Sequence, residues 1–184
     1  MPRSALAVTI LLVGSSSLSC RRDAPRPAAA APQDTGFVGT MAPLDRARPR
    51  QPGAATRLRA VDAVTGQGYD RIVFEFAGDS VPGYHVEYAR GPVRRCGSGD
   101  PVPLAGNQAL VVRFGPARAH DDQGNPAPTQ RDRVLGLSAV KELKLVCDFE
   151  GQVAWVLGVA AAAPYRVSEL ATPARLMLDV RHGP

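Results

Sequence analysis

Most of the signatures that assign chemistry to a sequence are missing from this one. Of the histidines His85, His120 and His182, no two stand at a metal-binding spacing, and H-E-x-x-H does not occur. The phosphate-cradling patterns G-x-x-x-x-G-K-[ST] and G-x-G-x-x-G are absent as well. "GSG" (97–99) lacks the flanks of a nucleophile elbow, and "GLSAV" (136–140) lacks its closing glycine, so neither serine has a base supplied by motif. No segment of the chain from residue 55 onward shows a sustained 3.6-residue apolar period, which argues against a helical fold. No catalytic residue, metal or cofactor is assigned, and the expectation is a protein that is not an enzyme.

The first twenty residues, "MPRSALAVTILLVGSSSLSC", place Arg3 ahead of an apolar run from Ala5 to Val13, a small-residue stretch and then Cys20. This is the layout of an export signal, and its apolar core is too short to span a bilayer as a stable anchor. Cys20 after Leu18 and Ser19 resembles a bacterial lipobox, with Ser17 where leucine is usual. Residues 1–19 are read as the removed signal and Cys20 as the lipidated residue. Ordinary signal-peptidase cleavage, leaving Cys20 as a thiol, is the competing reading. Arg21 follows the acylated position, where aspartate often signals inner-membrane retention. The expected address is therefore the periplasmic side of the outer membrane, reached through a lipid anchor.

Residues 20–54 hold six prolines, many alanines and few large apolar side chains. Such a stretch cannot bury enough surface to offset its ordering entropy, so it is expected to be a disordered tether. "FVGTM" (37–41) interrupts it and is assigned to the tether rather than to a docking segment. The formal charge of +5 divides into +1 from Arg3, +3 from residues 21–54 and +1 from residues 55–184. A nucleic-acid-binding domain would carry its basic residues on the folded part, so no nucleic-acid partner is expected.

Residues 55–184 are long enough for one domain with its own core. In "GYDRIVFEF" (68–76), Asp70, Ile72, Phe74 and Phe76 point one way, and Tyr69, Arg71, Val73 and Glu75 the other. The same alternation of two recurs in "RLRAVDA" (57–63), "YHVEY" (84–88), "ALVVRF" (109–114), "KELKLVCDF" (141–149), "QVAWVLGV" (152–159), "YRVSEL" (165–170) and "RLMLDVR" (175–181). The set predicts an all-β fold, an antiparallel β-sandwich of roughly eight strands. Trp155 shares a face with Val153 and Leu157 and is read as core rather than as a sugar-stacking platform. "AHDDQGN" (119–125) lacks the alternating oxygen ligands of a hard-cation loop and reads as a solvated turn. A hydrolase built on His120 with Asp121 or Asp122 is the least favoured reading.

Cys96 and Cys147 remain once Cys20 is assigned to the lipid. In an exported domain two leftover cysteines usually pair, the alternative being two separate buried thiols. The alternation places Cys147 on the inward face with Leu143, Leu145 and Phe149. A bridge from there to Cys96 is expected to hold the "AHDDQGN" loop against the core.

"GYDRIVFEF" and "VPGYHVEY", followed by "LVVRFGPARAHDDQG", "CDFEGQVAWVLGV", "PYRVSEL" and "PARLMLDV", together resemble the AMIN-like domain of bacterial exported lipoproteins, from about residue 57 to 182. That domain is similar in outline to the AMIN domain of cell-wall amidases and pilus secretins. The resemblance implies a β-sandwich that serves as a targeting or binding module in the envelope, with peptidoglycan or another envelope component as its ligand. It also implies that the amidase's catalytic domain has no counterpart here. The alternative is a structural partner of a secretin-like envelope protein assembly, joined through an exposed sheet edge.

Overall fold

The alternation of residues 68–76 is realised as a strand whose inward residues Asp70, Ile72, Phe74 and Phe76 are all buried. The structure is a computed structural model that describes residues 36–48 and 55–183. Cys20 and residues 1–19, read from the sequence as an export signal, lie outside those residues. Eleven strands are described: β1 (Leu44–Arg46), β2 (Thr56–Thr65), β3 (Tyr69–Phe76), β4 (Gly83–Tyr88), β5 (Gln108–Gly115), β6 (Ala117–Arg118), β7 (Asp132–Val134), β8 (Val140–Phe149), β9 (Gln152–Val159), β10 (Tyr165–Ala171) and β11 (Ala174–Arg181). They form a six-stranded sheet in the order β1-β4-β5-β9-β8-β7 and a five-stranded sheet in the order β10-β11-β3-β2-β6. All pairings are antiparallel except the short β2–β6 contact. The eight alternating segments are the eight longest strands, and β1, β6 and β7 add two or three residues each.

The inner faces meet in one aromatic-centred core. Phe114 of β5 receives Phe74 and Phe76 of β3 edge-on, each with ring centroids 5.0 Å apart, and Trp155 of β9 stands 6.3 Å from Phe74. Such tilted contacts between fully buried rings add to the burial term itself. Leu110, Leu143, Leu157, Leu176 and Leu178 complete the packing between the sheets.

A charged side chain lies at the end of this interior. Asp70 begins β3 and is fully buried; its carboxylate accepts from the backbone N–H of Ala139 (2.6 Å) and Val140 (3.0 Å), from the Thr65 hydroxyl (3.1 Å) and, at 2.8 Å, meets His182 Nε2. The latch ties the five-stranded sheet to the start of β8 in the other sheet. Burial alone pushes the Asp70 carboxyl up, and the bonds from Val140, His182, Ala139 and Thr65 outweigh it, holding the group below the ordinary carboxylate value.

Two expectations need correction. Residues 36–48 belong to the fold and not to a disordered tether. Thr40 forms a two-way backbone bridge with Tyr165 at the edge of the five-stranded sheet, and β1 then pairs with β4 at the edge of the six-stranded sheet. Arg46 and Arg48 both pair with Glu169 of β10, and the Tyr165 hydroxyl donates within reach of the Ala42 and Val86 carbonyls (2.6 and 2.9 Å). Phe37 is buried, with the Arg166 guanidinium 4.4 Å from its ring centre. These partners come from the far end of the chain, so the segment's own composition gave no sign of them.

The second correction concerns β8. Its pairing with β9 shifts by a residue between Leu145 and Cys147. The bulge turns Cys147 to the outer face and leaves Phe149 exposed, whereas Leu143 and Leu145 keep their inward places.

Phe74→Ala is expected to lower stability by about 3–5 kcal/mol through lost burial and a residual cavity, and Glu75→Ala, at a half-buried pair with Arg175 on the outer face, by under about 1 kcal/mol. Denaturant melts check the ranking, and the reverse order would contradict the register.

The Asp70 carboxyl is lowered in the folded state, so its contribution is complete above the unfolded value of about 3.9 and is lost as pH falls through the lower folded value. Asp70→Asn should cost about 1–3 kcal/mol near neutral pH and flatten the loss of stability below about pH 4. Thermal melts across an acid pH series, wild type against variant, read both effects.

Candidate functional site

The outer face of the six-stranded sheet is apolar where a solvated sheet face would be polar. Every residue of β9 from Val153 to Val159 is buried, so both of its faces are covered. The cover is the excursion between β4 and β5, residues 89–107, here called the flap. Val102, Val111, Val146, Ala154 and Val156 form a second buried cluster beneath it, flanked by Ala89, Val93, Leu104, Ala109 and Cys147.

The flap is fastened at several points. Asn107 N–H donates to the Val159 carbonyl at 2.9 Å, and Ala105 N–H to the Glu142 carboxylate at 2.8 Å. Lys144 bridges Glu142 (2.9 Å) and the Pro103 carbonyl (2.8 Å). Burial pushes the Glu142 carboxyl up, but the bonds from Lys144 and Ala105 prevail and hold it lowered. Close approach requires glycine: a Cβ on Gly158 would stand 2.1 Å from the Ala105 carbonyl oxygen, and one on Gly106, at φ +99°, 2.3 Å from that of Val159.

Cys96 and Cys147 are joined in a disulfide, with Cα atoms 5.2 Å apart. The bridge pins the tip of the flap to the bulge of β8, and Cys96 N–H donates to the Val146 carbonyl beside it at 3.1 Å. Its position differs from the expected one: it closes the flap over the outer face and makes no contact with the core face. The "AHDDQGN" turn is held separately.

Between the first leg of the flap and the sheet runs a groove of about 430 Å³. Val111, Val146, Ala154 and the disulfide form its floor, with Arg90, Arg94, Glu87 and Arg113 around it. A second groove of about 420 Å³ continues toward β1, between His85, Tyr84, Arg48 and the β8–β9 turn at Glu150. Arg113 and Gln152 line both, so the two adjoin. A charge row crosses the junction: Asp45 meets His85 at 2.6 Å, His85 meets Glu87 at 3.3 Å, and Glu87 accepts from Arg113 at 2.8 Å. The Arg113 bond, set against burial and joined by His85, holds the Glu87 carboxyl below its ordinary value.

The histidines are not brought together. His85 joins the exposed row, His182 joins Asp70, and His120 meets Asp148 of β8 at 3.0 Å. Asp121 and Asp122, its neighbours in sequence, do not pair with it. Asp121 accepts from the Gln123 and Asn125 amides (2.9 and 2.8 Å), and Asp122 pairs with Arg118 at 2.7 Å. Asp148 also takes the Ala119 amide (2.9 Å) and Arg131 (3.3 Å), which makes this group a clasp for the turn. Among the described residues no group of three His, Cys, Asp or Glu side chains is placed to hold a metal ion.

The sequence model of the AMIN-like domain family matches residues 56–182, more than half of the chain. The chain belongs to the AMIN-like domain family. No curated protein and no solved structure matches it. AMIN-like domains are binding domains found in periplasmic and envelope proteins, which assigns this chain a general envelope role. Residues 36–48 lie outside the family match, yet they complete the edges of this AMIN-like domain. Alternation missed the flap and its groove. The available signal was β9 itself, apolar at both parities, which calls for a second covering layer.

In the chain-entropy model a bridge across 51 residues contributes about 4 kcal/mol. Reduction is expected to lower the melting temperature and leave the strand signal in far-UV circular dichroism in place, because the inner core does not depend on the flap. Complete loss of that signal on reduction at 25 °C would overturn this division of the structure into core and cover.

Proposed function

We propose that this protein is a non-enzymatic lipoprotein whose AMIN-like domain binds peptidoglycan, with Cys20 carrying the anchor. The observation that supports the binding role most directly is the pair of adjoining grooves on the covered face of the six-stranded sheet. Both are edged with arginines and the first has an aliphatic floor, which is what a ligand-holding surface needs. Supporting the non-enzymatic reading, each histidine is engaged by a carboxylate in a row or clasp that joins strands and loops. The lipobox-like Cys20 and the absence of aspartate at Arg21 support placement on the periplasmic side of the outer membrane.

A second reading has its own support. In the five-stranded sheet, and among the described residues, β10 pairs with β11 alone apart from the bridge at Tyr165, so no described strand pairs with its other edge after Tyr165. An envelope protein could add a strand there, as in β-augmentation. Pull-down from detergent-solubilised envelopes against pull-down on purified sacculi separates the two readings.

The full-length protein in detergent is expected to pellet with purified sacculi, and its remaining in the supernatant would contradict the first reading. Cys20→Ala is expected to abolish incorporation of labelled fatty acid and to accumulate the unprocessed precursor. Unchanged labelling would show that Cys20 is not the acylated residue.

A further inference from the structure

We propose that the flap groove takes the carboxylate-bearing end of a short, extended peptide with small side chains, as found in the stem peptides of peptidoglycan. The proposal rests on the peptidoglycan reading and names the part of the polymer that the domain holds.

Charge is the first argument. Arg90 lines the groove and has no hydrogen-bond or ion-pair partner among the described residues. Arg94 donates to the Gly99 carbonyl at 2.9 Å and has no carboxylate partner among them. Glu87 is the carboxylate in the lining, and it is already held by Arg113 at 2.8 Å and His85 at 3.3 Å. The flap side of the groove thus presents two guanidinium groups that have no carboxylate partner among the described residues. A guanidinium matches a carboxylate through two parallel, charge-assisted hydrogen bonds.

The floor is the second argument. Val111, Val146, Ala154 and the disulfide offer a short aliphatic surface that suits methyl-sized side chains. No aromatic ring lines this groove, so it provides no platform for stacking against the face of a sugar. This favours the peptide over the glycan of the polymer. Size agrees: about 430 Å³ falls toward the lower end of the roughly 300–1,000 Å³ of small-ligand sites, enough for a few residues. The remainder of a longer chain leaves past Arg113 and Gln152 into the adjoining groove.

Arg90→Glu is the informative variant, because it removes no hydrogen bond or ion pair among the described residues. Arg59→Glu changes the net charge equally at another exposed arginine, without a hydrogen-bond or ion-pair partner among the described residues, on β2 of the opposite sheet, and serves as the control. The full-length protein in detergent is titrated by calorimetry with L-alanyl-γ-D-glutamyl-meso-diaminopimelate and with the same peptide amidated at its carboxyl groups. The free-acid peptide is expected to bind wild type at least about tenfold more tightly than Arg90→Glu, and about tenfold more tightly than the amidated peptide binds wild type. Arg59→Glu is expected to stay within about twofold of wild type at 0.15 M salt. No binding of the free-acid peptide to wild type, or equal binding to Arg90→Glu, overturns the proposal. Sacculus pelleting in parallel keeps the two readings apart. Equal pelleting of wild type and Arg90→Glu overturns the groove and leaves the peptidoglycan reading standing. Peptide binding without pelleting supports the carboxylate groove and overturns the peptidoglycan reading.

Discussion

A sheet that is apolar on both faces must be covered on both. β9 imposes this condition, since Val153, Trp155, Leu157 and Val159 face the five-stranded sheet while Ala154 and Val156 face outward. At roughly 25 cal/mol per Å² of apolar surface, leaving the outer valines in water would cost several kcal/mol. The flap is the answer to that demand, and its fastenings follow from it. Glu142 and Lys144 hold its returning leg, two glycines allow backbone-to-backbone approach, and the disulfide pins its tip. The covering is incomplete on the side of the first leg, where Arg90 and Arg94 project over an aliphatic floor. The groove is therefore a by-product of how the outer face is closed.

The two sheets are joined by more than their core. At one end, Asp70 of β3 accepts the amides that open β8. At the open side, residues 36–48 run from the edge at Tyr165 to the edge at β4, and the Arg46, Arg48 and Glu169 pairs span the gap. Exposed ion pairs contribute little by themselves, so the hold of this strap depends on its backbone bridges and on buried Phe37. The strap also supplies Asp45, which engages His85, and Arg48, which lines the second groove. The segment leading toward the amino terminus is thus part of the candidate binding surface.

Local alternation identified the eight long strands and most of their inward residues, because a strand on a core repeats every two residues whatever the topology. It assigned Ile72, Phe74 and Phe76 to the core, and the structure buries all three. It placed Trp155 in the core, where it is fully buried. It failed at Cys147 and Phe149, because a bulge adds a residue to one strand only, and nothing in "KELKLVCDF" marks where. It could not see the flap as a layer, since residues 89–107 read as a polar, glycine- and proline-rich loop.

The sequence by itself determined the fold class, the family likeness and the existence of a cysteine pair suited to an oxidising compartment. Each of these rests on patterns contained within short stretches or on their order along the chain. Tertiary structure alone decided that residues 36–48 are folded, which face carries the disulfide, and that Arg90 and Arg94 lie without carboxylate partners beside an aliphatic floor. Those outcomes depend on contacts between segments far apart in the chain: Phe37 with Arg166, Cys96 N–H with the Val146 carbonyl, and Ala105 with Glu142. Neither partner in such a contact carries a local signal of the other. Their meeting is fixed only when the sheets have paired and the apolar outer face has to be covered.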